Sequence, residues 1–167
     1  DVLDYYKIKV DEGPREGGGV GPYRQSERKE IYNKYIDLLI EKGLAYYCYA
    51  SKEELLNARE DKGFSYNSKT RMMFKNSLSL NEEENLSLVK KKKYVIRLKV
   101  EADIELRMTD LLRGDIKVNS NNLEDKILIK GDGLPTYHFA NVVDDYLMKI
   151  TTIIRGEEWL PSLPIHK

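Results

Sequence analysis

The spacing of apolar residues changes twice along this chain, and this change restricts the possible folds more than any other feature. Over 26–42, 52–62 and 81–89, apolar residues recur every three to four positions, as on one face of a helix. From Tyr94 to Val118 they alternate with polar residues, which is typical of half-buried strands. Helical spacing returns over 136–148. The pattern therefore predicts a mixed α/β fold and excludes an all-helical bundle.

Helices in the first half are predicted over 26–42, 52–62 and 81–89. Ser26 is expected to cap the first helix, and Ser51 with Glu54 forms a capping box for the second. One apolar stripe is expected on the first helix, formed by Ile31, Tyr35, Leu38 and Leu39.

The second half alternates between strands and helices. Strands are predicted over 94–100, 104–108, 116–118, 126–130 and 150–154. The last of these is β-branched and apolar, which favours a buried strand. Arg113-Gly114-Asp115 is expected to form a turn. Further helices are predicted over 136–148 and 157–163.

Composition excludes several classes of protein. Lys and Arg together number 28, as do Asp and Glu, so the formal net charge is zero and nucleic acid can be held only by a local patch. The single cysteine excludes a disulfide framework and a cysteine cluster around zinc, and it fits a cytoplasmic protein. No apolar run approaches the ~18–20 residues that span a membrane, so we expect no membrane partner.

Three segments have a specific sequence. The first reads Gly-Pro-Tyr-Arg-Gln-Ser-Glu-Arg over 21–28, and the second reads Gly-Leu-Ala-Tyr-Tyr-Cys over 43–48. The third contains Asp-Gly-Leu-Pro-Thr-Tyr-His-Phe-Ala-Asn over 132–141 and Ile-Arg-Gly-Glu-Glu-Trp-Leu over 154–160. In order and spacing, these segments closely resemble bacterial-type glutamyl-tRNA synthetase, a class I aminoacyl-tRNA synthetase.

This resemblance implies part of a Rossmann-type catalytic domain with an inserted α+β acceptor-binding domain. Residues 1–34 would belong to the first Rossmann half, 35–126 to the insertion, and 127–167 to the start of the second half. It also implies an activity: L-glutamate is activated with ATP and Mg²⁺ to glutamyl-adenylate and transferred to the 3' end of tRNA(Glu). The implied partner is the tRNA acceptor stem, and the implied state is a cytoplasmic monomer.

Two departures from the family pattern bear on function. The ATP signatures, of the His-Ile-Gly-His and Lys-Met-Ser-Lys-Ser types, are both absent, and the chain does not begin with Met. We therefore interpret it as a piece of a longer protein that is inactive alone. Some members bind zinc through Cys-x-Cys and Tyr-x-x-x-Cys, but here Ala50 and Thr70 replace two thiols beside Cys48 and Tyr66. One thiolate cannot complete a tetrahedral site, so no zinc is expected.

Arg155 follows a predicted strand, where open α/β sheets bind ligands, and its guanidinium can clamp a carboxylate. The alternative is a structural ion pair with Glu157 or Glu158. Tyr137 and Asn141 are four residues apart and share a helix face, although from the residues alone ordinary capping and packing is the favoured explanation.

The resemblance assigns roles to several of these residues, and it assigns no catalytic residue to this chain. It implies that glutamate is bound by Tyr137, Asn141, Arg155 and Trp159. Glu158 would lie near the ATP. A weaker tRNA-binding patch, for which a solvated strand edge is the alternative, would comprise Lys90, Lys91, Lys92, Lys93, Arg97 and Arg113.

Other polar residues near these positions invite interpretation. Asp144 and Asp145 are expected to make orienting hydrogen bonds near the pocket. Neither His138 nor His166 is one of the signature histidines. The alternative functions are a tRNA-modifying glutamyl transferase paralogue and an RNA-binding module without enzymatic activity.

Overall fold

The computed structural model describes residues 2–167. Its helices are α1 (Val2–Tyr5), α2 (Lys29–Glu41), α3 (Lys52–Arg59), α4 (Glu82–Lys90), α5 (Tyr137–Leu147) and α6 (Leu163–His166). Its strands are β1 (Ala45–Cys48), β2 (Val95–Leu98), β3 (Glu105–Asp110), β4 (Gly114–Asn119) and β5 (Ile127–Ile129). The predicted mixture of helices and strands is confirmed.

The central element is a three-stranded sheet in the order β1-β2-β5, in which neighbouring strands run antiparallel. Tyr47 lies opposite Ile96, and Ile96 lies opposite Ile129. The sheet thereby joins strands that are far apart in sequence. Helices α2 and α5 pack together against it.

Both faces of this sheet are covered by apolar clusters. Successive side chains of a strand point to opposite faces, so β1 and β2 contribute to both clusters. Ala45 and Ile96 face a cluster with α2 and α5 that includes Tyr32, Ile36, Phe139 and Val143. The alternate residues, Tyr46 and Cys48, face a second cluster with Tyr66 and Phe74. A strand such as β2 is therefore enclosed on both sides.

Strands β3 and β4 form a separate hairpin. The carboxylate of Asp110 accepts hydrogen bonds from the backbone N–H groups of Leu112 and Arg113, at 2.9 and 2.8 Å. Gly114 has a φ of +74°, which a residue with a Cβ rarely adopts. The turn thus closes ahead of Gly114, slightly earlier than the predicted Arg113-Gly114-Asp115.

The first predicted helix begins later than expected, and Ser26 does not cap it. Gln25–Glu27 forms a single 3-10 turn, the backbone departs from helical geometry at Arg28, and α2 starts at Lys29. The break accompanies the burial of the Arg28 side chain, which donates to the carbonyl of Pro22 at 2.6 Å. The buried face is also displaced: Tyr32 and Ile36 are fully enclosed, whereas Leu38 is 41% exposed.

The strand predicted over 150–154 is wrong. This segment has no regular secondary structure, and Ile154 is 93% exposed. A strand requires a neighbour to pair with, and within residues 2–167 no strand runs alongside it. β-branched composition gave the segment a strand propensity but could not supply that partner.

Two structural facts bear on the predicted domain division. A boundary at residue 35 falls inside the continuous helix α2. The boundary at 126/127 immediately precedes β5, which pairs with β2 of the predicted insertion.

None of the helices in residues 2–167 is long and apolar enough to cross a membrane.

Candidate functional site

Three of the predicted site residues meet at the beginning of α5. Tyr137 is the first residue of that helix, and Trp159 lies in the 3-10 segment Glu157–Ser162. Their rings are 4.8 Å apart between centroids, and the Arg155 guanidinium lies 5.6 Å from the centre of the Tyr137 ring. Tyr137 and Trp159 remain 44% and 39% exposed, so the two rings and the cation form an open aromatic wall.

The alternative to ligand binding was an ion pair between Arg155 and Glu157 or Glu158. Arg155 forms no such pair in the structure. Its Nη1 donates to Nδ1 of His166 at 3.0 Å, and its Nη2 lies 3.7 Å from Asp145. Glu157 instead pairs with Arg113, at 2.9 Å. Arg155 is thus held through Nη1, and its other guanidinium N–H groups make no hydrogen bond within residues 2–167.

Asn141 lies one turn along α5 from Tyr137, on the same face. Its Nδ2 and Oδ1 are both buried, and neither has a hydrogen-bond partner among residues 2–167. An amide left unpaired in this way costs about 1–3 kcal/mol per group, which proteins rarely accept without a ligand or water to bind. The amide is therefore a candidate binding group.

A histidine pair that was not predicted lies behind Arg155. His138 Nδ1 and His166 Nε2 are 3.0 Å apart. Burial lowers the pKa of His138 and, with Arg155 and His138 nearby, lowers that of His166 to about 4, so both rings are neutral at pH 7. His138 could have been suspected from its place beside Tyr137, whereas nothing in the sequence marks His166.

The two acidic residues of α5 have different environments. Asp144 accepts from Arg28 Nε and from the Tyr32 hydroxyl, each at 2.7 Å, which ties α2 to α5. Burial, and secondarily Asp144, raises the pKa of Tyr32 to about 12. Asp145 faces Arg155, and burial raises its pKa. Only Asp145 is close to the site cation.

Residues at the rim complete the description. Gln25 donates from its amide to the carbonyl of Pro135 at 3.3 Å, which brings the predicted pocket-edge segment to the start of α5. Glu158 is exposed, and its carboxylate folds back onto Gly156, into the space that a Cβ there would occupy. Because this carboxylate is the exposed end of a flexible side chain, it can move aside, and the contact does not by itself require glycine at position 156.

The predicted basic patch is only partly present. Lys90 through Lys93 are all exposed, at the end of α4 and in the turn before β2. Arg113 is partly exposed but paired with Glu157. The prediction that Arg97 belongs to this patch is wrong. Arg97 is 6% exposed, donates to the carbonyl of Asp125 at 2.8 Å, and stacks 3.9 Å from the centre of the Tyr66 ring. A buried guanidinium cannot contact phosphate at the surface.

The arrangement is suited to a small acid with further polar groups. The cation and phenol can bind a carboxylate, the buried amide offers both N–H donors and an acceptor oxygen, and the indole can exclude water. Within residues 2–167 no group of three His, Cys, Asp or Glu side chains could hold a metal ion.

A known protein family matches this chain along its whole length. The family described as tRNA synthetases class I (E and Q), catalytic domain, matches residues 1–167. The chain belongs to this family, which confirms the expected fold class.

Individual relatives are more specific. The chain is 48% identical to a glutamate–tRNA ligase of Parabacteroides distasonis and 49% identical to one of Christiangramia forsetii, in each case over 99% of this chain and 34% of the relative. It therefore spans about a third of the length of the curated relatives it matches. A crystal structure of a glutamate tRNA ligase from Elizabethkingia meningosepticum, in complex with its amino acid, matches with a TM-score of 0.93 and 46% identity, over 98% of this chain and 34% of that one.

Proposed function

We propose that this chain supplies the amino-acid-binding part of a glutamate–tRNA ligase. Such an enzyme activates L-glutamate with ATP to glutamyl-adenylate and transfers the glutamyl group to the 3' end of tRNA(Glu). The observation that carries the proposal is the buried Asn141 amide without a partner, on the same helix face as Tyr137 and close in sequence to the aromatic wall. The site has no purpose in a plain RNA-binding module.

Each side chain has a distinct task in this proposal. Arg155 binds the side-chain carboxylate of glutamate, and its positive charge disfavours the uncharged side-chain amide of glutamine. The Tyr137 hydroxyl and the Asn141 amide orient the remaining polar groups of the amino acid. Trp159 covers the bound molecule and excludes water, which strengthens the charged contacts.

We assign fewer residues of this chain to ATP, Mg²⁺ and tRNA than to glutamate. Glu158, at the open rim, is proposed to lie near the ATP. Mg²⁺ is proposed to arrive with the triphosphate, and no ligand for it is assigned within residues 2–167. Lys90 through Lys93 form an exposed cationic segment. We propose that their ammonium groups contact phosphates of the tRNA acceptor stem. The whole protein is proposed to be a cytoplasmic monomer.

The domain division is proposed in a revised form. The insertion would begin after α2 rather than at residue 35, since α2 is continuous and packs on α5. The second Rossmann half would begin with β5, close to the proposed boundary at residue 127.

The inserted domain is proposed to lack zinc. Cys48 Sγ lies 3.3 Å from the Tyr66 hydroxyl, but the Arg97 guanidinium sits 3.9 Å from the centre of that ring. A fixed cation there opposes a second positive charge, and the remaining thiols are absent. Metal analysis of the purified protein should give well below one zinc per chain, with no loss of stability on chelation. A full equivalent of zinc would contradict this.

The main test is Arg155→Ala in the full-length protein that carries this chain. The KM for glutamate should rise on the order of 10²-fold, because a charge-assisted carboxylate contact is worth about 2–3 kcal/mol. The KM for ATP should change little. Arg155→Lys should restore binding only in part, since an ammonium cannot make the planar two-pronged contact.

Arg107→Ala is the matched control. Arg107 is also an arginine in an ion pair, with Glu105 at 2.6 Å, but it is 72% exposed on the hairpin. Its loss should leave both KM values unaltered and change stability by at most about 1 kcal/mol. If Arg155→Ala behaves like Arg107→Ala, Arg155 does not bind glutamate.

A further inference from the structure

A chain of two hydrogen bonds supports Arg155 from behind. Arg155 Nη1 is 3.0 Å from His166 Nδ1, and His166 Nε2 is 3.0 Å from His138 Nδ1. The three residues come from three different segments: the stretch before Glu157, the end of α6 and the beginning of α5. Among the described residues, the bond to His166 is the side-chain hydrogen bond that holds Arg155, since Asp145 at 3.7 Å is beyond hydrogen-bond distance.

The chemistry of the groups fixes the proton positions. A guanidinium only donates, so Nδ1 of His166 must accept and carries no hydrogen. The neutral His166 ring therefore carries its hydrogen on Nε2 and donates it to Nδ1 of His138. His138 in turn must carry its hydrogen on Nε2. Each ring is restricted to one of its two tautomers.

The surroundings keep both rings uncharged. Burial is the largest influence on both, and the charges of Arg155 near His166 and Lys126 near His138 act in the same direction. The two rings also line an apolar cleft with Phe139 and Ile165. A charged His166 would face the Arg155 cation directly and would no longer accept its hydrogen bond.

We propose that His166 is a positioning residue for Arg155, and that His138 holds it in the accepting tautomer. The pair fixes the guanidinium so that its remaining donors point toward a ligand carboxylate. This inference rests on the proposed function, in which that carboxylate belongs to glutamate. It assigns a role to two histidines that are distinct from the signature histidines of ATP binding.

Two substitutions in the full-length protein separate the two ring nitrogens. In His166→Asn the amide oxygen stands near the position of Nδ1, so Arg155 keeps an acceptor. In His166→Gln the amide stands near the position of Nε2, so the contact with His138 is kept and the acceptor for Arg155 is lost. We expect His166→Gln to raise the KM for glutamate about tenfold and His166→Asn no more than about threefold. The KM for ATP should be unchanged in both.

The tautomer itself can be measured without any substitution. Nitrogen-15 NMR of the histidine side chains at pH 7 should show His166 with a bare Nδ1 and a protonated Nε2. In His138→Phe the acceptor is gone, so the Nδ1-protonated form of His166 should become populated and the KM for glutamate should rise.

The outcomes distinguish this inference from the function on which it rests. If Arg155→Ala raises the KM for glutamate but His166→Gln and His166→Asn do not differ, the positioning role is overturned and the proposed function stands. If Arg155→Ala has no effect on glutamate, the proposed function fails, and the positioning role fails with it whatever the tautomer. A charged or Nδ1-protonated His166 at pH 7 overturns the inference independently of any activity.

Discussion

At the scale of single residues, one buried ion pair connects the first and last thirds of the chain. Arg28 is 1% exposed, and its Nε donates to Asp144 at 2.7 Å. The same carboxylate accepts from Tyr32, so both of its oxygens are used. Because Asp144 precedes Asp145, this contact also determines where the site-facing carboxylate of α5 lies. A well-satisfied pair of this kind specifies the packing of α2 on α5.

Removing one partner of this pair should be costly. Arg28→Met leaves the Asp144 charge with only the Tyr32 hydroxyl, and we expect a loss of about 2–3 kcal/mol in the free energy of unfolding. Tyr32→Phe removes one hydrogen bond but keeps the ion pair, so a loss of about 1 kcal/mol is expected. Denaturant unfolding of both variants measures the difference. Equal losses would mean that the ion pair contributes nothing beyond packing.

At the scale of secondary-structure elements, two helix starts can be compared directly. Ser51 accepts from the Glu54 N–H at 3.1 Å, and the Glu54 carboxylate accepts from the Ser51 N–H at 2.7 Å. Ser51→Ala should therefore destabilise α3 by about 1 kcal/mol. Ser26→Ala is the control, because Ser26 makes no cap in the structure, and it should be neutral. A loss of stability at Ser26 equal to that at Ser51 would contradict the observed start of α2.

The difference between what was and was not predictable follows the range of the interactions. The capping box predicted at Ser51 depends on residues within four positions of each other, and it is present; an equally local box at Asn81 was not predicted. The segment 150–154 has strand composition but needs a distant partner, which no local pattern reveals. Arg97 alternates with apolar residues and was therefore expected at the surface, yet β2 is enclosed on both faces. The alternation rule fails wherever a second cluster covers the polar face.

The candidate site shows the same limit. Tyr137 and Asn141 share a helix face that their spacing reveals, and the resemblance added Arg155 and Trp159. The contact between Arg155 and His166 depends on how α6 packs against α5, which is tertiary information. The sequence could therefore name the groups proposed to face a ligand but not the histidine that contacts the Arg155 cation.

At the scale of the whole molecule, the main apolar cluster joins parts of the chain more than 100 residues apart. It contains side chains of α2, the three-stranded sheet and α5, so the helix that carries Tyr137 and Asn141 is anchored on its opposite face. The proposed binding residues Tyr137 and Asn141 thus lie on a helix that is packed against the core. Rigid mounting limits the conformational entropy that ligand binding must remove.

The same view predicts what this chain does alone. It holds the proposed groups for the amino acid, but the sequence contains neither ATP signature, so nothing orients the triphosphate toward the bound carboxylate. Positioning of reacting groups accounts for a large share of the rate in such reactions, about 7–11 kcal/mol in favourable cases. The 167-residue chain should therefore give no glutamate-dependent pyrophosphate exchange above background. The full-length protein assayed in parallel is the positive control, and clear exchange by the 167-residue chain alone would show that triphosphate positioning resides within it.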